Sequence, residues 1–402
     1  MKVTVSTFGR FHAFNLVQQL QERGCLHSFI STYPTWAVAR YGNYGIDPAL
    51  YRSIWWLGLI ARSWPRVPSI IRRDRNLQLW FHERFDEAAR NFVSPESDVF
   101  VGWSSMCLHS LRKAKELGLV TVVDRGNSHM QYFMDILQEE YELWGLKYTA
   151  THPGVCEREL QEYAEADWIA IPSLFTKRTF LEQGIPGNKL IHVPYGVSLE
   201  EFYPVSREDD TFRVIYCGGL TLRKGLQYLL RAFYELNLPD AELWLVGSLT
   251  PEIQPFLRKY ESDRIIQKGT HPQNQLRWFY SQCSVFCLVS IEDGFGMVIP
   301  QAMACGLPVI HTINTGGEDI VRDGVDGFRV PIRNVEALKE KILFFYENPE
   351  KRAEMGKNAL DQARQSLSWD DYGQKIVTAY QAALNQKRYQ FNYEKEPLSK
   401  SI

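Results

Sequence analysis

Two stretches combine glycines with charged side chains in an order that suits an anionic, hydroxyl-rich ligand. The earlier is Cys217-Gly218-Gly219-Leu220-Thr221-Leu222-Arg223-Lys224-Gly225, which follows an apolar strand and opens a helix. Glycines let the backbone approach an anion closely, the helix start presents free N–H groups, and Arg223 and Lys224 add cations at the same place. Taken alone, it is also an ordinary strand–turn–helix with surface charges, and it lacks the GxxxxGK[ST] spacing of a P-loop. The later stretch runs from Ser290 to Ile310, with Glu292-Asp293-Gly294-Phe295-Gly296-Met297-Val298 at its centre. Its acids stand at the end of a strand, where carboxylates can accept hydrogen bonds from sugar hydroxyls. The amides of Gly296, Met297 and Val298 open a helix and can meet phosphate. Gln301 lies on the same helix face as Asp293, about two turns on, and its amide has the donors and the acceptor to bond a ribose diol. Helix-capping acids in a plain turn remain the simpler reading of these residues by themselves.

The elements that must position these stretches are strands alternating with helices. Val3–Thr7, Val99–Val101, Val120–Asp124, Trp168–Ile171 and Leu190–Val193 read as short apolar strands, and Phe14, Leu16, Val17 and Leu20 as a helix stopped by Gly24. After Pro194-Tyr195-Gly196-Val197 and a polar run from Ser206 to Thr211, a second series begins. Its strands are Arg213–Cys217, Glu242–Val246, Arg264–Gln267, Val285–Leu288 and Leu307–Ile310. Such alternation gives mainly parallel sheets with helices on both faces and ligand loops at the carboxyl ends of the strands. The fold class is therefore α/β, with two Rossmann-like doubly wound domains facing each other across a cleft. Residues 1–197 form the first, 198–366 the second, 367–386 a last helix and 387–402 a polar, mobile tail.

With 402 residues, 45% of them hydrophobic and 23% charged, the chain can bury two ordinary cores, and a net charge of −2 argues against a whole-protein polyanion binder. The seven cysteines are scattered without a CxxC, so they read as buried hydrophobes of a reducing compartment, and Cys283 with Cys287 lacks a second pair to hold a metal. No secretory signal precedes the first strand, and no apolar run reaches the ~20 residues that span a bilayer. A cytoplasmic protein is expected, with contact at the inner face of the membrane open. Residues 51–92 bear on that contact. Trp55, Trp56, Trp64 and Trp80 are interleaved there with Arg52, Arg62, Arg66, Arg72, Arg73 and Arg75. Basic side chains with tryptophans suit a peripheral contact with an anionic membrane. The plainer reading is a solvated helix with its tryptophans turned into the core. No nucleic-acid motif accompanies the patch.

The two glycine-rich stretches, in this order and at this distance, resemble the retaining glycosyltransferases of family 4, of GT-B fold in the glycogen-phosphorylase-like superfamily. Pro194–Val197 with Phe202 and Pro204 is similar to that family's interdomain segment, Gly316-Gly317-Glu318-Asp319-Ile320-Val321 to its later donor-domain signature, and Trp369 with the final helix to its return to the first domain. The resemblance implies transfer of a hexosyl group from a nucleotide-diphosphate sugar to a glycan or lipid-linked hydroxyl acceptor, in polysaccharide biosynthesis. No cofactor is implied, and no metal, since cations and a helix start can carry the diphosphate. Asp293 (or Glu292) should contact the donor sugar, Phe295 to Val298 should lie along the sugar and diphosphate, and Gln301 should meet the ribose. The family has glutamates where this chain has Asp293 and Gln301, and an arginine where it has Gly219, a charge that Arg223 with Lys224 can replace.

Asp124-Arg125-Gly126-Asn127-Ser128-His129 is similar to the family's acceptor-side histidine loop, which puts His129 in the cleft and Asn127 beside it. Gly9 and Arg10 resemble the loop that closes over the diphosphate, and His12 is near enough to serve an acceptor. In such enzymes the leaving diphosphate is thought to help deprotonate the acceptor. A nucleotide-sugar epimerase of similar fold and a silent nucleotide-sugar binder are the competing readings.

Overall fold

In the computed structural model, residues 1–38, 44–66 and 77–395 are described. The first domain is built on a sheet of order β3-β2-β1-β4-β5-β6-β7, from β1 (Val3–Thr7), β2 (Leu26–Ser31), β3 (Tyr51–Ser53), β4 (Val99–Trp103), β5 (Val120–Asp124), β6 (Trp168–Ile171) and β7 (Leu190–His192). The second has the order β10-β9-β8-β11-β12-β13, from β8 (Phe212–Cys217), β9 (Ala241–Val246), β10 (Ile265–Gly269), β11 (Val285–Leu288), β12 (Val309–Thr312) and β13 (Gly327–Val330). Among the described residues every neighbouring pair is parallel. β1, β4, β5 and β8 are buried at every position. That burial matches their unbroken apolar runs and requires helices on both faces.

Strand order reverses once in each sheet, between β1 and β4 and between β8 and β11. Strands on either side of such a reversal send their following helices to opposite faces, and a crevice opens between the two loops. In the first sheet the loops after β1 and β4 flank it, and in the second the loops after β8 and β11. The glycine-rich stretches singled out in the sequence are these last two loops.

The strand expectations hold to within two residues at their ends, while β2, β3 and β13 went unforeseen. The helix Ala13–Glu22 buries Phe14, Leu16, Val17 and Leu20 on β1 and β2. It stops where Gly24 takes a φ of 63°, with the Cys25 amide closing back on Leu20 O at 2.8 Å.

The chain crosses between domains at Val197, which bridges to Ser368. The helix Trp369–Lys395 then lies against Ala13–Glu22 of the first domain. Arg23 bonds Asp370 at 2.7 Å there. This helix does not end in a mobile tail after residue 386. Lys387 donates to Asp167 at 2.5 Å and Arg388 to Asp98 at 2.8 Å, so the basic residues that read as a tail tie it down. Residues 396–402 of the expected tail lie outside the described residues.

The tryptophan-rich stretch also departs from its plainer reading. The helix Trp55–Ser63 buries only Leu57 and Gly58. Trp55, Trp56, Leu59 and Ile60 face outward, beside Trp36 with 69% of its surface exposed. Trp80 is exposed as well. Arg52, Arg62 and Arg66 are exposed around them, and Arg72, Arg73 and Arg75 lie outside the described residues. Among the described residues, no helix is long and apolar enough to cross a membrane.

Candidate active site

The loop after β8 turns back on itself before the helix Leu226–Leu236. Thr221 caps the short turn Leu222–Lys224, accepting from the Lys224 amide. Gly225, at φ 70°, then lets the chain press on β11's loop, where a Cβ would stand 1.9 Å from Val289 O. This contact is why Arg223 and Lys224 arrive beside the acids after β11. Arg223 Nη1 donates to Glu292 Oε2 at 2.8 Å, and Lys224 Nζ donates to Asp293 Oδ2. The four charges cancel in pairs.

Their environment sets their charge. Burial pushes the Asp293 carboxyl up, but Lys224 and Arg223 together pull it further down, below the usual carboxylate range. Burial draws the Lys224 ammonium below its ordinary value despite Asp293. Burial also works against the Arg223 guanidinium, yet Glu292 and Asp293 hold it above its ordinary value.

The acid loop is also pressed against the first domain. Glu292 is fully buried and Oε1 accepts from Ser128 N at 3.1 Å and Ser128 Oγ at 2.8 Å. Gly294 O accepts from Ser173 Oγ at 2.5 Å and Thr176 Oγ1 at 3.1 Å. A Cβ on Gly294 would stand 2.0 Å from Gly126 O and 2.5 Å from Asn127 Cα. Asp319 joins the same seam, accepting from Leu174 N at 2.9 Å and pairing with His192 at 2.6 Å. Buried Glu140 forms a second seam, taking bonds from Gln227, Tyr228 and Arg333. None of Ser173, Thr176, Glu140 or His192 was singled out by sequence. Only Ser173, at the end of β6 with Thr176 three residues on, carried a local capping signal.

A cavity of about 670 Å³ opens beside this contact. Its wall from the second domain carries Met297, Gln301 and Gln273, and its wall from the first carries Arg10, Phe11, His12 and Asn15. The crossing segment Val197–Phe202, with Glu200 and Glu201, and Trp369 complete it. Among these, Arg10, His12, Met297 and Gln301 are residues expected from sequence. Gln301 accepts from Tyr280 Oη at 3.3 Å. Gly9 lies under the exposed Phe11 ring. Gly218 and Gly219 are half-buried, with Gly219 O accepting from Tyr216 Oη at 2.7 Å.

Three expectations do not match where the structure puts the side chains. His129 does not stand open in the cleft. It is buried against Tyr163 and Phe180, and its Nδ1 caps the helix Met130–Leu143 by accepting from Gln131 N at 3.2 Å. Burial, then the nearby Arg125 charge, lowers its pKa to about 4. Phe295 turns into the core against Tyr195 instead of lying along a ligand. The Gly296 amide is taken by Asp293 Oδ1 at 3.1 Å, which leaves the helix from Val298 without that donor for phosphate. Among the described residues no group of three His, Cys, Asp or Glu side chains could hold a metal ion, and all seven cysteines are free.

With this geometry in view, residues 200–362 match the family model of glycosyl transferases group 1. An uncharacterized glycosyltransferase of Methanocaldococcus jannaschii is 31% identical over 183 residues, 46% of this chain and 51% of that one. A GDP-mannose-dependent monoacylated alpha-(1-6)-phosphatidylinositol monomannoside mannosyltransferase of Corynebacterium glutamicum is 26% identical over 242 residues, 54% of this chain and 63% of that one. The chain thus spans about half the length of the curated relatives it matches. The structure of Anabaena HepE in complex with UDP-glucose superimposes with a TM-score of 0.69 at 15% identity, over 95% of this chain and all of that one. Sucrose-phosphate synthase of Thermosynechococcus elongatus gives 0.67 at 18% identity, over 96% of this chain and all of that one. The fold is GT-B.

Proposed function

Taking residues 200–362 as a group 1 glycosyl transferase domain, we propose that this protein moves a sugar from a nucleotide-diphosphate sugar to a hydroxyl acceptor, with retention at the anomeric carbon and without a metal. The observation that carries this reading is the meeting of Arg223 and Lys224 with Glu292 and Asp293 at the reversal of the second sheet, beside the cavity that Arg10 and His12 help to line. A donor fits that charge pattern in two parts. Its diphosphate can take the cations from the carboxylates, and its sugar hydroxyls can donate to the carboxylates so released. Cations already in place would stabilise the diphosphate as it leaves.

A cell-surface or exopolysaccharide glycan is the product class we favour. Names among the relatives support it, including a putative colanic acid biosynthesis glycosyltransferase of Escherichia coli, 22% identical over 219 residues. The acceptor would then be a glycan or a lipid-linked glycan. The outward apolar face of Trp55–Ser63, ringed by Arg52, Arg62 and Arg66, suits the inner face of an anionic membrane.

Incubation with a panel of UDP- and GDP-sugars, followed by separation of the nucleotides, tests the activity. Release of nucleoside diphosphate with transfer or slow hydrolysis supports a transferase. An epimerised donor with no release would make the protein an isomerase, and unchanged donors would make it a silent binder.

A further inference from the structure

The helix Met130–Leu143 belongs to the first domain, yet it and the residues leading into it reach the charged cluster of the second. Ser128, just ahead of it, donates to Glu292. Tyr132 Oη accepts from Asn314 Nδ2 at 3.2 Å, and Asn314 O accepts from the Asp293 amide at 3.0 Å. The Phe133 ring lies 6.0 Å from the carbon of the Arg223 guanidinium. Glu140 stands about two turns beyond Phe133, on the same face of the helix. It is fully buried, and its carboxylate is filled from both domains. Oε1 accepts from Trp144 Nε1 at 2.8 Å, Gln227 Nε2 at 2.7 Å and Tyr228 Oη at 2.8 Å, and Oε2 accepts from Arg333 Nε at 2.7 Å.

Of these partners, Gln227 leads to the site. Its Nε2 also donates to Leu222 O at 3.2 Å. That carbonyl accepts from Gly225 N at 2.9 Å and so closes the turn that carries Arg223 and Lys224. With an acceptor on either side of its nitrogen, the Gln227 amide has one workable orientation. Gln227 Oε1 meets no donor among the described residues, although the side chain is 1% exposed. Burying that oxygen without a partner works against folding, and the two bonds from the nitrogen offset it. Arg333, on the far side of Glu140, sits at φ 61°, a backbone region that is costly for a residue with a side chain. Its bonds to Glu139 and Glu140 hold it there. The pair of Tyr141 Oη with Glu252 Oε1, at 2.9 Å, crosses the same seam without a bond to that turn.

We propose that Glu140 is a positioning residue for the donor diphosphate, an inference that rests on the transferase reading above. It acts through Gln227 and touches no substrate itself. The carboxylate of the first domain fixes the amide, and the amide fixes the Leu222 carbonyl. That carbonyl fixes the turn from which Arg223 and Lys224 reach the phosphates. The cations of the second domain are thus set by a residue of the first, and the diphosphate site is complete only while the helix Met130–Leu143 is seated on the second domain.

Affinities for UDP, GDP, UMP and GMP, measured by titration calorimetry, test the link, because the added phosphate is what Arg223 and Lys224 would hold. The full-length wild type is compared with Glu140→Gln, Gln227→Met, the double variant and Tyr141→Phe, with melting temperatures as companions. Gln keeps the shape of Glu140 without its charge, and Met fills the place of Gln227 without its donor. The wild type should bind one diphosphate more tightly than its monophosphate. Glu140→Gln and Gln227→Met should each weaken that diphosphate about tenfold and the monophosphate by less than about twofold. The double variant should be no weaker than the weaker single one, since the two residues act in series. Tyr141→Phe should bind as the wild type does. Unchanged diphosphate affinity in the single variants, losses that multiply in the double, equal loss of both nucleotides, or the same loss in Tyr141→Phe would each overturn the role of Glu140 while leaving the transferase reading intact. If Glu140→Gln does not fold, Gln227→Met decides by the same comparison. A wild type that binds neither diphosphate, or neither more tightly than its monophosphate, would remove the reading of Arg223 and Lys224 as the diphosphate's cations and this inference with it.

Discussion

The ammonium of Lys224 donates to the carboxylate of Asp293, 69 residues further along the chain, in a pair that leaves each side chain only 14% exposed. Arg223 makes the same reach to Glu292 one residue earlier. The cations that a diphosphate needs are thus held in place before any donor arrives, and their charge is masked by the acids that a sugar needs. Under the proposed function, binding the donor would exchange one set of partners for another, so the site need not move far to receive it.

The contact of Gly294 with Gly126 predicts how the domains respond to a single methyl group. Gly294→Ala places a Cβ 2.0 Å from a backbone oxygen that has no flexible side chain to yield. The variant should be less stable by about 1–3 kcal/mol and should open at this seam, with a larger radius of gyration by small-angle scattering. An unchanged melting curve and scattering profile would show that the two loops are not packed together in solution.

His129 predicts a loss of stability in acid. Unfolded, its imidazole titrates near 6.5, and folded it is lowered to about 4 by burial, then by Arg125. Between those values the unfolded chain carries the extra proton, so stability falls as the pH drops through that window and is complete above it. His129→Asn keeps a capping side chain without the titration. The unfolding free energy from urea curves should fall between pH 7.5 and 5 by about 2 kcal/mol less in the variant than in the wild type. Equal falls would mean that His129 is not held neutral.

The outward tryptophans predict binding to vesicles. Wild-type protein should sediment with vesicles of phosphatidylglycerol and phosphatidylcholine, less so as salt screens Arg52, Arg62 and Arg66. Trp55→Ala with Trp56→Ala should lose most of that binding and keep its melting temperature, since both side chains are exposed. Equal sedimentation of the double variant would place the contact elsewhere.

The proposed metal-free transfer predicts that EDTA leaves nucleotide release from UDP-glucose within about twofold of its untreated rate, with Arg223 and Lys224 carrying the charge. Abolition by EDTA and recovery with magnesium or manganese would contradict it.

The site was legible where its signals are local. Gly218–Gly225 and Glu292–Gln301 stand out because glycine, charge and an apolar strand follow one another within a few residues, and these are the loops at the strand-order reversal. Their pairing was hidden, because nothing local tells that β8 and β11 lie side by side. His129 misled for the same reason. Its resemblance to the family's histidine loop put it in the cleft, whereas Tyr163 and Phe180, which bury it, come from distant elements. His12 was noted only for its place after β1, since its partner Asp124 is 112 residues away. β3 has three residues and β13 four, too short for alternation to show. Lys387 and Arg388 read as solvated because the acids they meet, Asp167 and Asp98, belong to the first domain.

The central claim is that Lys224 exchanges Asp293 for the phosphates of a nucleotide, and a thermal-shift measurement with UDP and GDP tests it most directly. At a hundred times its dissociation constant, a ligand of the folded state alone adds about 2.7 kcal/mol. One of the two diphosphates should raise the melting temperature of the wild type and of Asp293→Ala, whose Lys224 is left free, and should lose its effect in Lys224→Ala. No shift in the wild type with either nucleotide, or an equal shift in Lys224→Ala, would contradict the account.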